Sequence, residues 1–245
     1  MSDEQISNLN LEDPNVRSLL DLYYEAEDTS EKEKFASILN NINETPSELL
    51  ELAIKNNETL DFVANYPFYK GHKKISIEDD HTPGEIPLFL QWDERWGYHE
   101  YADEFMAING CAPTSLAMVI VGLTGDTSIT PKVVADYSYN NGFYVEGVGT
   151  SWNLMIEGAS YFGIEGKYLY LNESSLLTSL KNGNPVIASV KPGIFTTIGH
   201  ILVVTGLDEN GKLIINDPNS RENSSKTWDV DVFLNEVKAL WEMSI

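Results

Sequence analysis

Gly110-Cys111-Ala112-Pro113-Thr114-Ser115-Leu116-Ala117-Met118-Val119-Ile120-Val121-Gly122 is the stretch on which the fold turns. Proline is tolerated in a first helical turn, where its missing N–H would have had no partner, so Pro113 places a helix start close to Cys111. From Leu116 to Val121 the run is apolar on every side, which describes a helix buried all round, closed by Gly122 and Gly125. Such a helix sits at the centre of a core, with Cys111 at its N-terminal edge. Unpaired amides and the positive end of the helix dipole favour a thiolate there. Gly110 leaves room for a substrate backbone to approach the sulfur. Free cysteine is more often a packing residue than a nucleophile, and here it is position that argues for chemistry.

Thiolate chemistry needs a base, and the chain has four histidines: His72, His81, His99 and His200. His72 and His81 fall in a charged, proline-containing segment and His99 in an aromatic loop, where an exposed or hydrogen-bonded ring is the simple explanation. His200 differs, because it opens the apolar run His200-Ile201-Leu202-Val203-Val204, where a polar ring requires a partner. Lys167–Leu171, Val186–Val190, His200–Gly206 and Lys212–Asn216 read as strands, the last two joined by Asp208-Glu209-Asn210-Gly211, which is hairpin-turn chemistry. Positions paired across an antiparallel turn have a constant sum. A mirror between Asp208 and Glu209 sets Asp217 opposite or nearly opposite His200 on one sheet face, whereas a slip of one residue would point it away. Asp217-Pro218 is also ordinary strand-ending chemistry. Gln91, at the end of the extended segment Ile86–Gln91, can offer a side-chain amide beside the backbone N–H of Cys111 as an oxyanion donor.

Further out, helices are expected after Thr130-Pro131, after Ser151 and after Asn172, and a closing helix over Val230–Trp241. The first third is helical, with Val16, Leu19, Leu20, Tyr23 and Tyr24 at three-and-four spacing, then Phe35, Ile38, Leu39 and Ile42. Thr45-Pro46-Ser47-Glu48 reads as a capping box with Thr45 as N-cap. The expected organisation is an acidic helical region over 1–70, a linker over 71–85 and a main domain over 86–245, helices followed by mainly antiparallel strands. That order is α+β. Gly147-Val148-Gly149-Thr150 has neither the lysine nor the third glycine of a phosphate loop and reads as a turn and cap.

Composition narrows the function. Against 38 Asp and Glu stand 16 Lys and Arg, a net charge of −22, which disfavours nucleic-acid partners and anionic lipid surfaces and favours cationic substrates. One cysteine allows no internal disulfide and no thiolate zinc cage, no histidine pair has ligand spacing, and neither a metal nor a cofactor is expected. No apolar run is long enough to span a bilayer, so no integral membrane segment is expected. Met1-Ser2-Asp3-Glu4 does not open a signal peptide, which leaves the compartment open between a cytoplasmic protein and an exported one whose signal has been removed.

Taken together, Ile86-Pro87, Gln91-Trp92 with Trp96, Gly110-Cys111-Ala112-Pro113-Thr114-Ser115, Pro185-Val186-Ile187-Ala188, Gly199-His200-Ile201-Leu202 and Asn216-Asp217-Pro218 resemble a papain-like cysteine peptidase of the bacteriocin-processing, double-glycine-leader peptidase-like group. The resemblance covers residues 86–245 in order. It implies a papain-like fold, a central helix carrying the cysteine packed on an antiparallel sheet. It also implies Cys111 as nucleophile, His200 as base and acid, Asp217 as orienter, Gln91 in the oxyanion hole, and a peptide or peptide-like substrate. Transporter-linked members also carry membrane and ATPase domains. Neither a membrane span nor a Gly-x-x-x-x-Gly-Lys-Ser/Thr loop is present, so a stand-alone bacterial member is expected, and leader cleavage is not. The helical first third lies outside the resemblance, and a pro-region, a lid, a docking module and a packing extension all fit it. Two alternatives to hydrolysis stay open: acyl transfer to an amine, and a peptide-binding module without turnover.

Overall fold

Short acidic side chains cap two of the helices of the first third. The computed structural model describes every residue except Lys70, His72 and Lys73. The chain divides into two units, Met1–His72 and Lys73–Ile245. The first holds α1 (Asp3–Ser7), α2 (Pro14–Glu25), α3 (Thr29–Asn40), α4 (Ser47–Lys55) and α5 (Leu60–Asn65). Asp13 accepts from the N–H groups of Asn15 and Val16 at the start of α2, and Asp28 from Glu31 at the start of α3, which satisfies amides that no helical turn can reach. Val16, Leu19, Leu20 and Tyr23 of α2 are buried, as are Phe35, Ile38 and Leu39 of α3 and Leu49, Leu50 and Ala53 of α4. Tyr24, expected on the same stripe, is exposed and stands edge-on to Tyr23. Thr45 is not the N-cap of α4. Pro46 holds that place, and the Thr45 hydroxyl donates backwards to the Asn41 carbonyl at 3.1 Å. The expected linker histidine, His72, lies outside the described residues.

The second unit begins with the hairpin of β1 (Glu100–Tyr101) and β2 (Glu104–Phe105), then α6 (Met106–Asn109) and α7 (Cys111–Thr124). There follow α8 (Pro131–Asn140), the hairpin of β3 (Tyr144–Val145) and β4 (Gly149–Thr150), α9 (Glu157–Tyr161), β5 (Glu165–Leu169), α10 (Glu173–Lys181) and β6 (Val186–Val190). The chain ends with β7 (His200–Leu207), β8 (Leu213–Asn216), α11 (Arg221–Ser224), β9 (Thr227–Trp228), α12 (Val230–Leu234) and β10 (Val237–Ser244). Six strands form one antiparallel sheet in the order β5-β10-β6-β7-β8-β9. This is an α+β architecture. The Gly147 segment is the turn of the β3–β4 hairpin, with Gly147 and Gly149 both at positive φ.

The helix read from the Cys111 stretch lies where its pattern requires. All ten residues from Ala112 to Val121 are buried. Ile187, Ile201, Val203, Ala239 and Trp241 of the sheet share one apolar core with it. The other sheet face packs Ala188, Leu202, Val204 and Leu240 against Leu176 and Leu180 of α10 and Phe233 of α12. A sheet buried on both faces has no polar alternation, and β6 is buried at all five positions. The aromatic loop belongs to the core as well, with Trp92, Trp96, Tyr98 and Tyr101 all buried.

Two further expectations need correction. Residues 230–241 are not one helix: α12 stops at Leu234, and Val237–Ser244 forms β10, inserted between β5 and β6. Ala239, Leu240 and Trp241 are buried on both faces of the sheet, and such a short apolar run carries no period that tells strand from helix. Gly122 does not close the cysteine helix either. The helix runs to Thr124 and ends at Gly125, whose φ of 73° suits a glycine cap. At Gly122 the segment Glu85-Ile86 crosses the helix so closely that an added Cβ would lie 2.9 Å from the Ile86 Cα and 3.1 Å from the Glu85 carbonyl oxygen.

Gly122→Ala therefore sets two effects against each other. Better helix propensity stabilises by up to about 1 kcal/mol, while forcing a methyl against backbone costs about 1–3 kcal/mol. Net destabilisation is expected, read as a lower denaturation midpoint at unchanged slope. A midpoint equal to or above that of the native protein would show that the crossing is loose.

Candidate active site

The β7–β8 hairpin delivers the histidine and the aspartate through an irregular register. Leu207 pairs with Leu213 and Gly206 with Ile214, Thr205 is passed over, and then Val204 pairs with Ile215 and Val203 with Asn216. The passed-over residue is a β-bulge, and it changes parity. Continued past the bulge, the ladder sets position 217 opposite Leu202, on the same side as His200. Without it, position 217 would fall opposite Val203, on the other side. Asp217 is thus a diagonal neighbour of His200, two positions off the directly opposed place. His200 Nε2 and Asp217 Oδ1 are 2.6 Å apart, both residues are buried, and Asp217 is only 1% exposed.

Asp217 is held from several directions. Its Oδ1 also accepts from the Asn219 N–H at 2.8 Å, its Oδ2 accepts from Asn223 Nδ2 at 2.9 Å, and its own N–H donates to Ser224 Oγ at 2.8 Å. Burial pushes its carboxyl up, but the charge and hydrogen bond of His200, with the Asn223 and Asn219 donors, outweigh burial and hold it below the usual carboxylate range. For His200, burial pulls the ring down. The Asp217 charge and bond, with a lesser contribution from the neighbouring Cys111 side chain, reverse that and hold it up, at about 10. With Nε2 taken by Asp217, Nδ1 is the nitrogen left to meet the thiol.

Cys111 is the first residue of α7 and half-buried. The first intrahelical bond runs from the Thr114 N–H to the Gly110 carbonyl, so the Cys111 and Ala112 amides precede the helical ladder. Ser115 stands one turn on, on the same face as Cys111, and its hydroxyl donates to the Ile201 carbonyl at 3.3 Å. That bond ties α7 to β7 beside His200.

Gln91 is buried at the α6–α7 junction, and its side chain does not stand as a free donor. Nε2 donates to the Ala107 carbonyl at 2.7 Å and to the Ile108 carbonyl at 3.1 Å, while Oε1 meets no hydrogen-bond partner among the described residues. The segment that carries it is fixed at both ends. Asn216 Nδ2 donates to the Ile86 and Pro87 carbonyls, and the Gln91 N–H donates to the Pro218 carbonyl at 2.7 Å. Next to it, Trp92 Nε1 donates to the Asn219 carbonyl, and the Arg221 guanidinium lies over the Trp92 ring.

The structure thus brings Cys111, His200 and Asp217 together and sets Gln91 against the loop leading into Cys111. His81 lies against Gly125 at the far end of α7, and the His99 backbone carbonyl accepts from Met106. Sequence reasoning missed Ser115, Asn216 as a clamp, and Asn223. Asn223 sits in the polar run Asn219–Ser225, which carries only turn signals. Among the described residues no group of three or more His, Cys, Asp or Glu is arranged to hold a metal ion, and no helix is long and apolar enough to cross a membrane. Chemically, a thiol, an imidazole and a buried carboxylate in sequence can generate and orient a sulfur nucleophile.

Residues 84–244 of the 245 match the model of the Peptidase_C39 like family, and the chain belongs to that family. No curated protein matches it.

The raised His200 pKa has a consequence for stability. Its contribution is fully present below the unfolded value of about 6.5 and is lost as pH rises from there through about 10. Chemical denaturation between pH 6 and 10 is expected to show the native protein losing stability across that window and Asp217→Asn losing much less. Parallel curves for the two would mean that the ion pair contributes nothing.

Proposed function

From that membership and the grouping around His200, we propose that the protein is a cysteine peptidase or amidase on a papain-like scaffold. The observation that carries the reading is one imidazole bonded to a buried carboxylate, with the sole cysteine of the chain as its neighbour at the start of α7. In the proposed reaction, His200 is already an imidazolium at neutral pH, holding on Nδ1 the proton given up by Cys111, and the thiolate sulfur attacks an amide carbonyl. The C–S bond forms, the carbonyl oxygen takes the negative charge, and Asp217 offsets the charge on the imidazolium. The same proton then passes to the leaving amine as the C–N bond breaks. Water attacks the thioester and gives a proton to His200, the C–S bond breaks, and the acid leaves with the thiolate–imidazolium pair restored.

The Cys111 amide is one proposed oxyanion donor. Gln91 is the other, on the condition that one amide hydrogen turns from a backbone carbonyl toward the oxyanion, and the longer bond to Ile108 is the one to yield. That engaged amide is the single observation favouring the alternative, a peptide-binding module without turnover. The net charge of −22 favours substrates that carry cationic side chains.

Because the chain has one thiol, iodoacetamide reads Cys111 alone. At neutral pH labelling is expected to run about 10-fold or more faster than a model thiol, and His200→Ala is expected to bring it back to the model rate. Equal rates for native and His200→Ala would end the activated-pair reading. Turnover is then tested on a peptide library with Cys111→Ser as the blank. Rapid labelling without cleavage of any library member would support the binding module, and cleavage by the blank would reveal a contaminant.

A further inference from the structure

The one-turn helix α11 lies just beyond the turn after Asp217, and its side chains do more than end the strand. Asn223 Nδ2 reaches back six residues to Asp217 Oδ2 at 2.9 Å, on the oxygen that His200 does not use. The backbone around Asn223 is itself fixed: its N–H donates to Ser220 Oγ at 3.0 Å, and its carbonyl accepts from Trp228 Nε1 at 3.0 Å. The backbone that carries the amide therefore cannot shift away without breaking a cap and a tryptophan bond. With one oxygen held by His200 and the Asn219 amide and the other by Asn223, the carboxylate plane cannot turn, and Oδ1 stays aimed at Nε2.

We propose that Asn223 is a positioning residue that locks the Asp217 carboxylate onto His200 and so sets the orientation and charge of the imidazole facing Cys111. This rests on the reading of Cys111, His200 and Asp217 as a working triad. Asn223 touches neither the thiol nor the imidazole and acts only through Asp217. The groups facing the carboxylate are His200 from β7, the Asn219 N–H from the turn and Asn223 from α11. Of the charged neighbours on α11, Arg221 lies over Trp92 and Glu222 pairs with Lys226. Cys111 faces His200 from α7. Removing the Asn223 donor leaves the carboxylate with less stabilisation of its charge, so its protonation moves to higher pH.

The readout is the low-field proton resonance of the His200 Nε2–H, which persists while that proton is shielded in a bond to an ionised Asp217. Its midpoint of loss on acidification is compared in the native protein, Asn223→Ala, Asn223→Asp and Ser224→Ala, with circular dichroism confirming the fold at each pH. Asn223→Ala is expected to raise the midpoint by about one pH unit and Asn223→Asp by more, since it sets a like charge beside Asp217. Ser224→Ala removes a bond to the Asp217 backbone from the same helical turn and leaves the carboxylate partners in place, so it is expected to lower the melting temperature without moving the midpoint. An unchanged midpoint in Asn223→Ala, or an equal rise in Ser224→Ala, overturns the proposal. Should the native protein show neither the resonance nor rapid alkylation of Cys111, the triad reading fails and takes this proposal with it. Rapid native alkylation with an unmoved midpoint sinks the Asn223 role alone.

Discussion

Asp217 carries a charge at a place where water hardly reaches it, and an unpaired charge at such a depth costs several kcal/mol. Its neighbours are arranged to remove that cost. Asn219 and Asn223 come from the next six residues of the chain, so they are supplied by local geometry. His200 comes from across a hairpin, and its place is set by the sheet. The same short stretch also holds the rest of the site. Asn216 grips the Ile86-Pro87 carbonyls, the Pro218 carbonyl receives the Gln91 N–H, and the Asn219 carbonyl receives the Trp92 indole. Residues 216–224 therefore act as one clasp. It fixes the imidazole on one side and, through the extended segment 86–91, the junction that leads into Cys111 on the other.

The clasp works only because β7 carries one residue more than its partner. Side chains along a strand alternate, so a hairpin that keeps its turn-side register would send Asp217 and His200 to opposite faces. Passing over Thr205 restores the match. A bulge also twists and bends the strand it sits in. It lies five residues from His200 and leaves regular pairing with β6 from Val204 down to His200 itself, opposite Val190. The irregularity is thus confined to the half-buried, turn-proximal end of β7, while the end that carries the imidazole is held in an unbroken ladder.

These features bear on what the sequence could and could not reveal. The buried helix after Cys111 was legible because an apolar run bounded by Pro113 and Gly125 admits few other structures. The His200–Asp217 pairing was legible from hairpin symmetry, and it survived an error of two positions because two is a whole period of the strand. A one-residue error would have hidden it. β10 was illegible because a strand covered on both faces shows no alternation, and its partners β5 and β6 lie some fifty to eighty residues earlier. Gly122 looked like a stop because glycine is permissive at helix ends, whereas here it admits a crossing backbone that local sequence does not announce. Asn223 and Ser115 act through single side-chain bonds, one six residues back along the chain and the other across to β7, and no spacing rule marks such residues.

Gln91 illustrates how a structural and a chemical requirement can select the same side chain. Two backbone carbonyls, Ala107 and Ile108, converge where only a donor satisfies them, and an amide nitrogen is the neutral group that can serve both. Glutamate has the same shape but would set a carboxylate against two carbonyl oxygens. Alanine would leave both carbonyls short of a donor, at about 1–3 kcal/mol for each one kept from water. Residues 107 and 108 lie four and three positions before Cys111, so this loss would fall on the turn that leads into the thiol. The Gln91 amide thus supports the Cys111 thiol through the backbone while its nitrogen is engaged by two carbonyls. An oxyanion role would require only that one of two existing bonds be exchanged, with the side chain already anchored by the other.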